Sequence, residues 1–141
     1  MTWLNPFRHR RRPYESDWGQ RVAPTRQAYT ENHAFLIKLT KLPRPIPYQQ
    51  YFTVAFEIYS GKHPAPRLTD VNLTLFAGMR HGLKHGFAHG MESSPKIVRQ
   101  DGAFRVRGMF FHMMGKWTLK LTVARDGQKG TAFFELPCCG Q

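Results

Sequence analysis

The chain has 141 residues, 41% hydrophobic and 13% aromatic, with a formal net charge of +12 and a pI near 10.3. That length suits one domain with a tail, and that hydrophobic content excludes a chain too polar to fold. Its only cysteines, the adjacent Cys138 and Cys139, close at most a small strained ring that staples no loop, which excludes a disulfide scaffold.

The N-terminal stretch "MTWLNPFRHRRRPYESDWGQRVAPTRQ" offers Trp3, Leu4 and an isolated Phe7 before its arginines, short of the roughly 7–15 apolar residues of a secretory signal. No later run approaches the roughly 20 apolar residues of a membrane helix. Six of the 21 basic residues precede Gln27, and Pro6, Pro13 and Pro24 interrupt any helix, so residues 1–32 read as a basic, flexible arm. It is either solvated or an anchor in which Trp3, Leu4 and Phe7 join Arg8, Arg10, Arg11 and Arg12 against an anionic membrane surface or an acidic partner. Nucleic acid ranks below these, because no recognition helix or RNA-binding aromatic motif accompanies the arginines.

From His33 the pattern alternates at period two, the signature of half-buried strands. "HAFLIKLTKL" puts Phe35, Ile37 and Leu39 on one face, and "YFTVAFEIYS" does the same with Phe52, Val54, Phe56 and Ile58. "VNLTLFAGM" aligns Val71, Leu73, Leu75 and Ala77; "PKIV" is short; "AFRVRGM" alternates Phe104 and Val106 with Arg105 and Arg107. "KWTLKLTVAR" aligns Trp117, Leu119, Leu121 and Val123, and "TAFFELP" aligns Ala132, Phe134 and Leu136. The turn sequences "LPRPIPY", "SGKHPAPR", "DGA" and "RDGQKG" separate them. This predicts an all-β fold, an immunoglobulin-like antiparallel β-sandwich of about seven strands over residues 33–137, with residues 138–141 as a frayed C-terminal tail.

Between the third and fourth of these strands lies "MRHGLKHGFAHGM", residues 79–91. Its spacing would place His81, His85 and His89 on one side of a helix. Gly82, Gly86 and Gly90 oppose that, each costing about 1 kcal/mol relative to alanine in a helix interior. The stretch therefore reads as a loop whose glycines let several side chains turn toward one point.

"GMRHGLKHGFAHGM" followed by "DGAFRVRGMFFHMMGKWTLKLTV" resembles the YtkA-like domains, small bacterial extracytoplasmic immunoglobulin-like modules similar in appearance to the FixH proteins of cytochrome oxidase assembly. The resemblance runs from about Phe52 to Phe134 and is carried by Met79, His89-Gly90-Met91, Gly102, Phe104, Phe111-His112-Met113, Gly115 and Trp117. The His-Gly loop is longer than the family's usual compact form, and no leader is legible. The resemblance implies a periplasmic or extracytoplasmic location, although the sequence by itself leaves a cytoplasmic one open. It also implies copper handling beside a membrane protein complex or a copper enzyme.

The residues admit that chemistry on their own terms. Thioether and imidazole ligands suit Cu(I), whereas calcium and magnesium need several oxygens and only Glu92 stands beside the loop. Met79, His81, His85, His89, Met91, His112, Met113 and Met114 are the available donors, with His89, Met91 and His112 the leading ones because they belong to the family's motif. Met109 and Met114 read first as contacts to aromatic rings. Catalysis finds no support: there are nine carboxylates, those of Asp70, Asp101 and Asp126 fall in turns, and no nucleophile stands in a suitable context, so the chain is not expected to be an enzyme. Two functions remain. One is a copper carrier or accessory factor; the other is an interaction domain that docks on a membrane protein complex through its sandwich and basic arm.

Overall fold

Alternating apolar side chains build the strands largely where the sequence places them. A computed structural model of the chain describes residues 14–15, 21–22, 26–62, 66–79 and 89–139. Its strands are β1 (Tyr14–Glu15), β2 (Arg21–Val22), β3 (Gln27–Tyr29), β4 (Phe35–Lys41), β5 (Tyr51–Ser60) and β6 (Arg67–Leu68). They continue as β7 (Asn72–Met79), β8 (His89–Gly90), β9 (Lys96–Gln100), β10 (Ala103–Phe110), β11 (Gly115–Arg125) and β12 (Gln128–Cys138). No helix occurs among the described residues, so the all-β expectation holds there.

Two antiparallel sheets carry the fold. The first has the order β3-β4-β5-β10-β9, with β6 pairing the far part of β5, and the second has the order β12-β11-β7-β8. Strands β1 and β2 pair with each other. The inward faces of the two sheets share one core in a β-sandwich-like arrangement. Phe56 of the first sheet meets Phe134 of the second at a ring-centroid distance of 5.9 Å. Phe52, Val54, Phe104, Val106, Trp117, Leu119, Leu121 and Phe134 are buried as their alternation predicts, while Leu75 is only half-buried.

The folded part begins before His33. β3 pairs with β4, and the turn after it docks on β12: the Glu31 amide donates to the Thr131 carbonyl at 3.0 Å, and Asn32 Nδ2 donates to the Lys129 carbonyl at 2.8 Å. Gly130 makes this approach possible, since a Cβ there would lie 2.6 Å from Thr30 Oγ1. This contact joins an edge of the first sheet to an edge of the second. Gln27–Asn32, which the sequence assigns to the arm, is thus part of the domain. Residues 1–13, with Arg8, Arg10, Arg11 and Arg12, lie outside the described residues.

A bulge in β10 decides which of its last side chains enter the core. Pairing with β5 passes from Val106↔Val54 to Met109↔Phe52, and the extra residue is accommodated at Gly108, whose φ of 82° suits glycine. The bulge turns Met109 into the core, where it is fully buried, and Phe110 outward against Tyr51. Met109 is a core contact, as its aromatic surroundings suggest.

Trp117 is fully buried and stacks on Phe111, with centroids 4.3 Å apart and planes within 4°. Trp117→Ala is expected to cost about 3–5 kcal/mol, the range for truncating a large buried aromatic; urea unfolding of the two proteins measures it, and equal midpoints would contradict the assignment.

On the outer face of the second sheet, Glu135 keeps only 10% of its side chain exposed, 3.8 Å from Lys116. Burial pushes its carboxyl above its ordinary pKa. A carboxyl raised in the folded state contributes stability below its ordinary pKa and loses that contribution as pH rises through the raised value. Glu135→Gln should therefore gain stability relative to the wild type between about pH 4 and pH 7. Unfolding midpoints of both proteins at the two pH values test the sign.

Candidate functional site

The turn between β10 and β11 is held by the core rather than by its own hydrogen bonds. Phe111 is fully buried, and its carbonyl accepts the Gln49 amide at 3.0 Å. Trp117 Nε1 donates to the Met113 carbonyl at 2.9 Å, so the same indole that fills the core also closes the turn. Gly115, with φ of 134°, opens β11. Met113 is half-buried against the core, whereas Met114 is 59% exposed. Met114 makes no core contact of the kind the sequence suggests for it.

His112 sits between these anchors. Its ring meets the Trp117 indole edge-on at 5.6 Å, and its Nε2 lies 3.9 Å from Glu92 Oε2. Its Nδ1 is buried and has no hydrogen-bond partner among the described residues. Buried polar atoms nearly always find a partner, so an exception needs a reason.

The long loop returns to this same end. β7 and β8 pair Gly78 with Gly90 and Met79 with His89, and the Met91 amide donates to the Ala77 carbonyl at 3.3 Å. The segment that leaves β8 then carries Glu92 to His112 and donates from Ser93 Oγ to the Gly108 carbonyl at 2.7 Å. Met91 is half-buried and packs on the core; Met79 is 4% exposed. A Cβ on Gly115 would come within 2.6 Å of the Met79 methyl, so Met79 reaches the His112–Gly115 turn because Gly115 has no side chain.

The structure thus brings Met79, Met91, His112 and Met113 to one end of the two sheets, with the His89 backbone in register opposite Met79. His81 and His85 lie outside the described residues. Among the described residues, no three side chains of His, Cys, Asp and Glu gather as a metal-binding group. The side chains that share this end are one imidazole and three methionines, residue types whose donors are soft enough for Cu(I). A shallow depression at the β9–β10 turn, lined by Thr69, Arg99, Asp101 and Phe104, lies at the opposite end of β10.

Two features escape a reading of the sequence. Glu92 is visible there as a nearby carboxylate but not as the neighbour of His112, which depends on the fold. The burial of Cys138 and Cys139 is the other, although the core positions Ala132, Phe134 and Leu136 continue at period two to Cys138. The observed strand runs to Cys138, and Cys138 and Cys139 are 3% and 6% exposed, which corrects the expectation of a frayed end. Comparison with known proteins gives no match to any family model, curated protein or solved structure.

Proposed function

We propose that the chain is a small copper-binding module of the YtkA-like kind, an immunoglobulin-like sandwich acting outside the cytoplasm as a carrier or an accessory factor to a membrane or respiratory copper enzyme. The observation that supports it best is the buried, unpartnered Nδ1 of His112. Leaving such an atom unsatisfied costs about 1–3 kcal/mol, a cost a bound cation removes. A carboxylate near the other nitrogen favours the tautomer with the proton on Nε2, which leaves the Nδ1 lone pair free. Glu92 stands on that side of the ring.

In this reading His112, Met91 and Met113 hold Cu(I). Met79, His89, His81 and His85 are the further donors that the loop end can supply. The chain binds or passes the ion and catalyses nothing.

The competing reading, an interaction domain, has one observation in its favour. Arg107 and Lys96 face each other across β10 and β9 without a carboxylate partner among the described residues. Like charges directly opposite are unfavourable until an anionic partner covers them.

Anaerobic titration against a chromophoric Cu(I) chelator separates the two. The copper reading expects stoichiometric competition by the wild type. It expects His112→Ala to weaken binding by more than about tenfold, since even outer partners of a ligating histidine are worth about 10–100-fold. Protons compete for imidazole nitrogen but not for a thioether, so His112→Ala should also flatten the loss of affinity in acid, whereas Met91→Leu should weaken binding and retain it. A wild-type chain that leaves the chelator's copper untouched would support the interaction domain instead.

A further inference from the structure

The alternation that buries one face of β5 and β10 turns their other face outward, and cations collect there. Arg105 and Arg107, two residues apart, share the outer face of β10, roughly 7 Å from each other along the strand. Arg107 is in register with Lys96 of β9. Arg105 is in register with Ala55 of β5, whose partner on the other side is Lys41 of β4. Four cations thus spread over one face of four strands, and none has a carboxylate partner among the described residues. The one carboxylate in the strands of that sheet, Glu57, is taken by Arg67 at 3.1 Å.

The same face carries an aromatic pair. Tyr51 opens β5 and Phe110 ends β10; the two are in register, with ring centroids 4.9 Å apart. Tyr51 is 71% exposed, the most exposed large apolar side chain among the described residues. The sequence gives no sign of this pair, because strands far apart along the chain assemble it.

We propose that the outer face of the first sheet binds a single strand of nucleic acid, its bases stacking on Tyr51 and Phe110 and its phosphates meeting Lys41, Lys96, Arg105 and Arg107. The two halves of the polymer match the two halves of the face: phosphates release counterions when they meet cations, and bases stack on aromatic rings whatever their sequence. Aromatic side chains on the inner strands of an open sheet face make a stacking platform of this kind. β5 and β10 are inner strands of the order β3-β4-β5-β10-β9. The chain's net charge of +12 adds long-range attraction for a polyanion.

An anionic membrane fits this face less well. Apolar groups at an interface sink about 5–10 Å past the headgroups. Here the rings stand on the same sheet face as arginine and lysine side chains, which reach at least as far out. An acidic protein would satisfy the cations without calling for the rings. The proposal goes beyond the copper reading, since none of these six side chains is among the copper donors.

The test uses the full chain and a labelled oligothymidylate of a length that a small stacking domain covers, about 4–16 nucleotides, followed by fluorescence anisotropy. Inorganic polyphosphate of matched charge, duplex DNA and phosphatidylserine vesicles serve as competitors. The wild type is expected to prefer the oligothymidylate to all three. Tyr51→Ala should bind it about tenfold more weakly, keep the wild-type affinity for polyphosphate and melt like the wild type, while Tyr51→Phe should keep the wild-type affinity for both. Arg107→Gln should weaken both and reduce the log–log salt slope by about 0.7, one phosphate contact of a single strand.

Equal affinity of the wild type for polyphosphate and oligothymidylate, or equal affinity of wild type and Tyr51→Ala for the oligothymidylate, would overturn the proposal and leave a basic patch. Vesicles that outcompete the oligothymidylate, and do so less well against Tyr51→Ala, would overturn it in favour of a membrane. Chelator competition reports on His112 and oligothymidylate binding on Tyr51, so this proposal and the copper reading fail independently.

Discussion

The buried indole of Trp117 is the constraint on which the His112 end of the molecule depends. Its ring face lies on Phe111, its N–H is spent on the Met113 carbonyl, and its edge region meets His112. A buried indole N–H without an acceptor is costly, so the turn from Phe111 to Gly115 is drawn down onto the core by the requirement to supply one. The backbone of that turn is then no longer free to move His112 outward. The imidazole is left with one nitrogen toward Glu92 and the other buried without a hydrogen-bond partner among the described residues.

The surrounding elements reinforce that position from two directions. The bulge at Gly108 places Met109 in the core and lets Ser93 bind the Gly108 carbonyl, which brings the segment after β8 alongside β10. From the second sheet, Met79 crosses to the missing side chain of Gly115. Sulfur therefore accumulates at the same end from Met79, Met91, Met113 and the terminal cysteines. Soft, polarisable side chains fill irregular space well, and the same softness makes them ligands for monovalent copper. Packing accounts for the methionines at this end, and the buried Nδ1 of His112, without a partner among the described residues, is the feature that packing leaves unexplained.

Much of the fold is legible in the sequence because both sheets have one buried face each, which writes itself as alternation. Strands β4, β5, β7, β10, β11 and β12 follow from it, as do nearly all the core side chains. β3 escapes because its three residues alternate without a strong apolar signal and are held by pairing to β4 and by the contact of the next turn with β12. Cys138 escapes for a different reason: the alternation does continue to it, but nearness to the chain end suggests fraying and outweighs the pattern. At the site, the motif residues His112, Met113 and Met91 are legible as types, while the facts that give them meaning are not. That Glu92 reaches His112, that Gly115 makes room for Met79 and that Nδ1 is left bare all depend on long-range packing.

The state of one nitrogen separates a copper ligand from a packing residue, and long-range proton–nitrogen NMR of the imidazole rings reads that state directly. In the metal-free protein the neutral imidazole of His112 is predicted to carry its proton on Nε2 and to show an unprotonated Nδ1, whose resonance moves strongly when Cu(I) is added in one equivalent. A proton on Nδ1, or an Nδ1 resonance indifferent to copper, would contradict the central claim and leave His112 as a packing residue of the turn.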